Sequence, residues 1–135
     1  MNSRPETVPE HPSELTADAI EAASLRIAPA VIRTPLEACP RISASTGAQI
    51  HLKREDLQSV RSYKIRGAYN VMAQLSRSEL DRGVVAASAG NHAQGVAYAC
   101  RTMGVHGRIY VPTTTPKQKR DRISWHGGEL SLIHI

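Results

Sequence analysis

The feature that most constrains the fold is an alternation of short apolar segments with helical segments in the second half of the chain. Residues 84–87 read Val-Val-Ala-Ala, a wholly apolar run typical of a strand buried on both faces of a parallel sheet. A helical segment at 92–103 follows, then a strand at 108–111 and a helix at 116–125. This alternation predicts βαβ units, and therefore an α/β fold with a parallel sheet flanked by helices.

The first half of the chain predicts shorter elements. Thr16 can cap a helix over 17–28. Pro40 suits the first turn of a helix over 40–46, with Gly47 as its stop. Three further elements are expected: a strand at 49–53, a helix over 64–75 and a helical turn over 76–81.

The two ends of the chain are interpreted separately. Residues 1–14 are polar and rich in proline, which predicts a flexible tail. Residues 130–135 resemble the translation of a transposon-end adapter used in sequencing libraries, so we expect them to be non-native and the reading frame to be cut there. The alternative is a genuine terminal strand, because leucine and isoleucine favour strands.

Composition excludes several classes of protein. The 135 residues are 41% hydrophobic and 21% charged, as in ordinary globular domains. Cys39 and Cys100 cannot form a disulfide framework, and the six histidines lack the spacing of a metal site, so no metal is expected. No apolar run reaches about 18 residues and no secretory signal is visible, so we expect a cytoplasmic protein without a membrane partner.

The first segment that could take part in catalysis is 62–68, with Lys64 at the start of an amphipathic helix. A lysine in the first turn opposes the positive end of the helix dipole, which together with desolvation would lower its pKa and favour a nucleophilic amine. Such amines form Schiff bases with carbonyl cofactors. Taken alone, however, most lysines at such positions are solvated surface residues.

The second segment is the turn Ser88-Ala89-Gly90-Asn91, which joins an apolar strand directly to a helix. Backbone N–H groups at a helix N-terminus can bind a carboxylate or a phosphate. Gly90 would let the backbone approach a ligand closely, and Asn91 brings an amide donor and an acceptor. The alternative is a plain turn with Asn91 as the N-cap.

The order KRED, SYKIRGA and AASAGNHAQG resembles the fold-type II pyridoxal-phosphate enzymes, most closely the threonine and serine dehydratases. The resemblance covers about residues 33–129, and the Glu-Asp-Leu-Gln at 55–58 is similar to that of the biosynthetic threonine dehydratases. It implies a partial, truncated architecture like that of the tryptophan synthase β subunit. Residues 15–66 would form the first part of a large domain that binds pyridoxal phosphate, and residues 67–129 most of a small α/β domain.

The resemblance also implies a reaction and its site residues. Lys64 would hold pyridoxal 5′-phosphate and remove the Cα proton, Asn91 would bond to the cofactor 3-oxygen, and Tyr63 would pack beside the cofactor ring. The substrate carboxylate would be held by five residues: Ser88, Ala89, Gly90, Asn91 and His92. The reaction would convert L-threonine to 2-oxobutanoate and ammonia, or L-serine to pyruvate and ammonia, in the biosynthesis of isoleucine.

The chain departs from the family in two respects: it shows neither the family's glycine-rich loop for the cofactor phosphate nor the small polar residue beside the pyridine nitrogen. Members carry a glycine-rich loop for the cofactor phosphate, whereas Gly127-Gly128 is the only glycine pair here. We therefore expect this chain alone to bind the cofactor weakly and to be inactive as a fragment, and the full-length protein to be a homo-oligomer.

Two alternatives stay open. One is another fold-type II enzyme: a serine dehydratase, a serine racemase or a β-replacement enzyme. The other is a basic binding module that uses the run at 117–122. The interleaved Asp121 and the lack of stacking aromatic residues favour a solvated helix face for that run, so no nucleic-acid partner is expected.

Overall fold

The computed structural model describes residues 15–134. The elements of the first half are α1 (Ala17–Ile27), β1 (Leu36–Ala38), α2 (Pro40–Thr46), β2 (His51–Lys53) and a 3₁₀ turn (Glu55–Leu57). The elements of the second half are α3 (Lys64–Met72), α4 (Arg77–Asp81), β3 (Val84–Ala87), α5 (Asn91–Met103), β4 (Gly107–Pro112), α6 (Lys117–Trp125) and β5 (Glu129–Ile133).

The strands form two separate sheets. β1 and β2 pair antiparallel, with Leu36 opposite Lys53. β3, β4 and β5 form a parallel sheet in that order, with Val84 opposite Gly107 and Arg108 opposite Glu129. The parallel sheet with helical crossovers confirms the predicted α/β class.

Several helix ends lie where the sequence predicts them. Thr16 caps α1, because its Oγ1 accepts a hydrogen bond from the Ala19 N–H at 3.1 Å. Gly47 ends α2 with φ +70°, and Gly104 ends α5 with φ +65°, a left-handed conformation that glycine adopts without steric cost. The predicted helices over 17–28 and 64–75 are slightly shorter than expected, because they end at Ile27 and Met72.

Helix α5 lies at the centre of the packing. One side meets the sheet and α6 in a cluster formed by Ala93, Ala97, Ile109, Val111 and Ile123. The other side meets α3 in a second cluster that includes Ala68, Met72, Val96 and Cys100. Burying a valine, isoleucine or methionine side chain contributes roughly 1.5–3 kcal/mol, and the second cluster packs α3 against α5. The start of α3 is thereby placed near the carboxyl end of β3.

The prediction that residues 84–87 are buried on both faces is wrong. Val85 is 68% exposed and Ala87 is exposed, whereas Ala86 is buried. The reason is position in the sheet: among the described residues β3 pairs only with β4, so it is an edge strand. A short apolar run looks the same in sequence whether its strand is central or at an edge.

Two local features differ from expectation. Strand β1 was not predicted, because it has only three residues, all exposed, which is too short a segment to give a recognisable strand pattern. The alternative that made Asn91 the N-cap of α5 is also wrong: Gly90 is the N-cap, Asn91 is the first helical residue, and no side chain in the described part of the chain caps this end.

The predicted tail at 1–14 lies outside the described residues. Glu129–Ile133 pairs in parallel with β4, which is the conformation of the strand alternative. The proposed adapter origin of residues 130–135 stays a prediction. Within the described part of the chain, none of the helices has the length and apolar character needed to cross a membrane.

Candidate functional site

A cleft of about 640 Å³ opens between α3, β3 and the start of α5. Most of its lining is apolar, and three longer polar side chains also line it: Tyr63, Lys64 and His92. An apolar cleft with a few convergent polar groups is the usual form of a small-molecule site. The structure therefore brings two of the predicted cofactor residues to one cavity.

Lys64 is the first residue of α3 and is half-buried. The chain has four lysines, and the other three do not line this cleft. The Lys53 amine donates to the Thr34 carbonyl, Lys117 pairs with Asp121 at 2.7 Å, and Lys119 is exposed on α6. Within residues 15–134, no carboxylate lies within 4.0 Å of the Lys64 amine, so no ion pair ties it down.

Tyr63 lies directly beside this amine. The Lys64 Nζ is 4.9 Å from the centroid of the Tyr63 ring, within the range of a cation–π contact. Tyr63 is 59% exposed, so much of its surface is accessible to a ligand. The role of Tyr63 beside a cofactor ring stays a prediction.

The predicted carboxylate turn lies at the carboxyl end of β3. Of its five residues, His92 lines the cleft, whereas Ser88, Ala89, Gly90 and Asn91 lie next to it. The Ser88 Oγ accepts from the Gly90 N–H at 3.3 Å, which bends the chain into α5. Because no side chain of residues 15–134 caps α5, the N–H groups of its first turn are available to an anionic group.

Gly95 is a site residue that the sequence reasoning did not identify. It is buried in α5, and a Cβ there would lie 3.1 Å from both the carbonyl carbon and the carbonyl oxygen of Lys64. The missing side chain thus lets the backbone of Lys64 rest directly on α5. A glycine inside a helical pattern was the available signal for such a contact.

Ser62, two residues before Lys64, holds a polar atom without a partner. The residue is 7% exposed, and its Oγ is buried with no hydrogen-bond partner among the described residues. A buried hydroxyl without a partner costs free energy, so such atoms in native proteins are commonly satisfied by a ligand, a water or a further segment.

An ion pair supports the first turn of α3. Glu55 accepts two parallel hydrogen bonds from Arg66, Nε to Oε2 at 2.9 Å and Nη2 to Oε1 at 2.8 Å. Thr34 and Gln58 also donate to the Glu55 carboxylate. Bonding from Arg66 is the main cause that lowers the pKa of Glu55 from 4.5 to about 2, against the opposing effect of burial.

This low pKa predicts a pH-dependent part of the stability. Because the folded pKa lies below the unfolded value, the contribution of Glu55 is complete above about pH 4.5 and is lost as the pH falls towards 2. We expect Glu55→Gln to lower the free energy of unfolding by about 1–2 kcal/mol at neutral pH, allowing for screening by water. Urea unfolding at neutral pH and near pH 2 should show the difference from the wild type closing in acid.

The matched control for this prediction is Asp81→Asn, which breaks the exposed pair between Arg77 and Asp81 on α4. We expect it to change the free energy of unfolding by less than about 0.5 kcal/mol. If the Glu55→Gln difference stayed constant from neutral pH to acid, the carboxylate would not be the source of the stabilisation.

Comparisons with known proteins agree with this geometry. The family model described as pyridoxal-phosphate dependent enzyme matches residues 27–134. Among solved structures, maize serine racemase has a TM-score of 0.83 at 36% identity, covering 87% of this chain and 36% of the racemase. Threonine deaminase isoform 2 from Solanum lycopersicum has a TM-score of 0.75 at 41% identity, covering 96% of this chain and 41% of the deaminase. The fold thus corresponds to part of the fold-type II architecture.

Curated relatives are more similar still. The biosynthetic L-threonine dehydratase of Mycobacterium tuberculosis is 68% identical over 110 residues, which cover 82% of this chain and 26% of the relative. The enzyme of the same name from Mycobacterium leprae is 60% identical over 128 residues, which cover 95% of this chain and 30% of the relative. The chain therefore spans between a quarter and a third of the length of these relatives. Since the family model extends over most of the sequence, the chain belongs to the pyridoxal-phosphate dependent enzyme family.

Proposed function

We propose that this chain supplies the lysine and the substrate-carboxylate turn of a pyridoxal-phosphate dependent threonine dehydratase. The reaction would convert L-threonine to 2-oxobutanoate and ammonia, and L-serine to pyruvate and ammonia, in the synthesis of isoleucine. The observation that carries the proposal is the position of Lys64, at the start of α3 and on the wall of a cleft shared with the start of α5. The names of the curated relatives support the choice of threonine.

The residues present fit one end of the cofactor. The Lys64 amine would react with its aldehyde, the Asn91 amide would bond to its 3-oxygen, and Tyr63 would flank its ring. The unpartnered hydroxyl of Ser62 is a further buried donor close to Lys64 in sequence. No glycine-rich phosphate loop occurs in this sequence, so the phosphate would be held by residues outside it.

The chemistry then divides between the cofactor and the chain. When bound, the cofactor supplies an electron sink for the charge that develops at the substrate Cα. The Lys64 Nζ accepts the Cα proton, because it is the lysine of this chain that lines the cleft. The uncapped N–H groups at the start of α5, together with the turn at 88–92, hold the substrate carboxylate and so fix the Cα next to Lys64.

Other parts of the proposal rest on the family resemblance. We propose an amino-acid substrate, a cytoplasmic location and a homo-oligomeric full-length enzyme. The division into a large-domain part at 15–66 and a small-domain part at 67–129 also stays a prediction, and its boundary lies within α3. The isolated chain should bind the cofactor weakly, because it lacks the phosphate loop.

A chimera tests the proposed function. The aligned residues of this chain would replace their counterparts in the full-length Mycobacterium tuberculosis relative, which supplies the remaining three quarters of the enzyme. The chimera would be incubated with pyridoxal phosphate, reduced with borohydride and mapped by peptide mass spectrometry. We expect one pyridoxyl group on Lys64 and formation of 2-oxobutanoate from L-threonine. A chimera that forms this product while the label lies on another lysine would refute the assignment.

A further inference from the structure

We propose that Glu55 and Arg66 are positioning residues for Lys64, and that their pairing sets the rate at which the Lys64 amine captures the cofactor aldehyde. This inference rests on the proposed function, since it assumes that Lys64 is the lysine that reacts. Neither residue lines the cleft that contains Lys64. Their effect would be transmitted through the first turn of α3.

The carboxylate of Glu55 joins three segments that are distant in sequence. Its partners are Thr34 in the segment before β1, Gln58 after the 3₁₀ turn, and Arg66 in the first turn of α3. Gln58 is 1% exposed and extends the network, because its side-chain amide bonds both the N–H and the carbonyl of Ile32, at 2.9 and 2.8 Å. The first turn of α3 is therefore linked by hydrogen bonds to the segment before β1 and to the residue after the 3₁₀ turn.

The same turn also packs against α5. Gly95 lies against the backbone of Lys64, so that a single added carbon would meet it at 3.1 Å. The Arg66 N–H donates to the Tyr63 carbonyl at 3.0 Å, which closes the turn around Lys64. The backbone of Lys64 thus contacts α5 at Gly95, and the residue two positions later, Arg66, is fixed by its ion pair with Glu55.

This arrangement matters because the amine lies at the end of a long, flexible side chain. Its approach to an aldehyde is set by the backbone position, and a shift of about 1 Å in a reacting group can cost about 100-fold in rate. The Glu55 side chain is only 15% exposed and bonds Arg66 through two parallel hydrogen bonds, a geometry that lysine cannot reproduce. Replacing either partner should therefore loosen the first turn of α3 without removing a residue that lines the cleft.

The test compares four forms of the chimera: wild type, Glu55→Gln, Arg66→Lys and Ile123→Val. Ile123 is fully buried in α6 and lies outside both the cleft and the network, so Ile123→Val lowers stability without touching Lys64. Each form is mixed with pyridoxal phosphate, quenched with borohydride at increasing times and analysed for the label on Lys64. The melting temperature of each form is measured in parallel.

We expect Glu55→Gln and Arg66→Lys to slow the labelling of Lys64 by about tenfold or more, with the same final extent. Ile123→Val should lower the melting temperature and leave the labelling rate unchanged. The inference is overturned if Glu55→Gln and Arg66→Lys label at the wild-type rate, or if Ile123→Val slows labelling as much as they do. If the wild-type chimera takes up no label on Lys64, the proposed function has failed instead, so the two failures are distinguishable.

Discussion

Replacing Lys64 with alanine is expected to lower the rate of 2-oxobutanoate formation by the chimera by roughly 1,000-fold or more, the scale seen when a central reacting group is removed. The physical reason is that the variant loses both the amine that reacts with the cofactor aldehyde and the base that accepts the Cα proton. No other lysine of this chain lines the cleft, so none can take over. The measurement is the steady-state rate with saturating cofactor and L-threonine.

Two further variants test whether the loss of activity comes from the Lys64 amine itself. Lys64→Arg should be as inactive as Lys64→Ala, because a guanidinium stays protonated and cannot serve as a nucleophile or base, although it keeps the charge. Lys119→Ala, which removes an exposed amine on α6, should retain the full rate. A Lys64→Ala variant that kept more than about a tenth of the activity would show that another group performs both steps.

Gly95→Leu should be the most damaging substitution among those that leave Lys64 itself intact. A Cβ at Gly95 already meets the Lys64 backbone at 3.1 Å, and a backbone segment cannot rotate aside as a side chain can. The leucine side chain must therefore push α3 away from α5, which we expect to cost about 3 kcal/mol in the free energy of unfolding. Urea unfolding measures this loss, and Gly95→Ala should give a smaller one because alanine favours the helix by about 1 kcal/mol.

The matched control is Gly67→Leu, the same change in the interior of α3. Among the described residues, a Cβ at Gly67 meets no atom within 4 Å, and Gly67 is exposed. We therefore expect Gly67→Leu to keep or slightly raise the free energy of unfolding, because leucine is the better helix former. Equal losses for the two substitutions would mean that the contact between Gly95 and Lys64 does not hold α3 in place.

The elements that could be predicted are those whose signals are local. Helices α2 and α5 end at glycines that adopt left-handed conformations, and Thr16 caps α1 as its hydroxyl suggests. The parallel sheet followed from the alternation of strands and helices, a pattern that short crossovers impose. Such features depend on a few neighbouring residues, so one sequence is enough to show them.

The features that could not be predicted depend on contacts between distant residues. Gly95 contacts the backbone of Lys64, which lies 31 positions earlier in the sequence. Glu55 bonds Thr34, which precedes β2, and Arg66, which follows the 3₁₀ turn. No local sequence pattern predicts these contacts. Lys64 itself stood out only when its segment was considered together with the turn at 88–91 and the family resemblance.

The edge position of β3 has a consequence for the behaviour of this chain in solution. Val84 and Ser88 direct their N–H groups towards β4, so the N–H groups of Val85 and Ala87 face outwards. A row of unsatisfied amide and carbonyl groups beside a solvent-exposed valine is a template for pairing with a strand from another molecule. We therefore expect the isolated polypeptide to self-associate along the unpaired edge of β3 at high concentration.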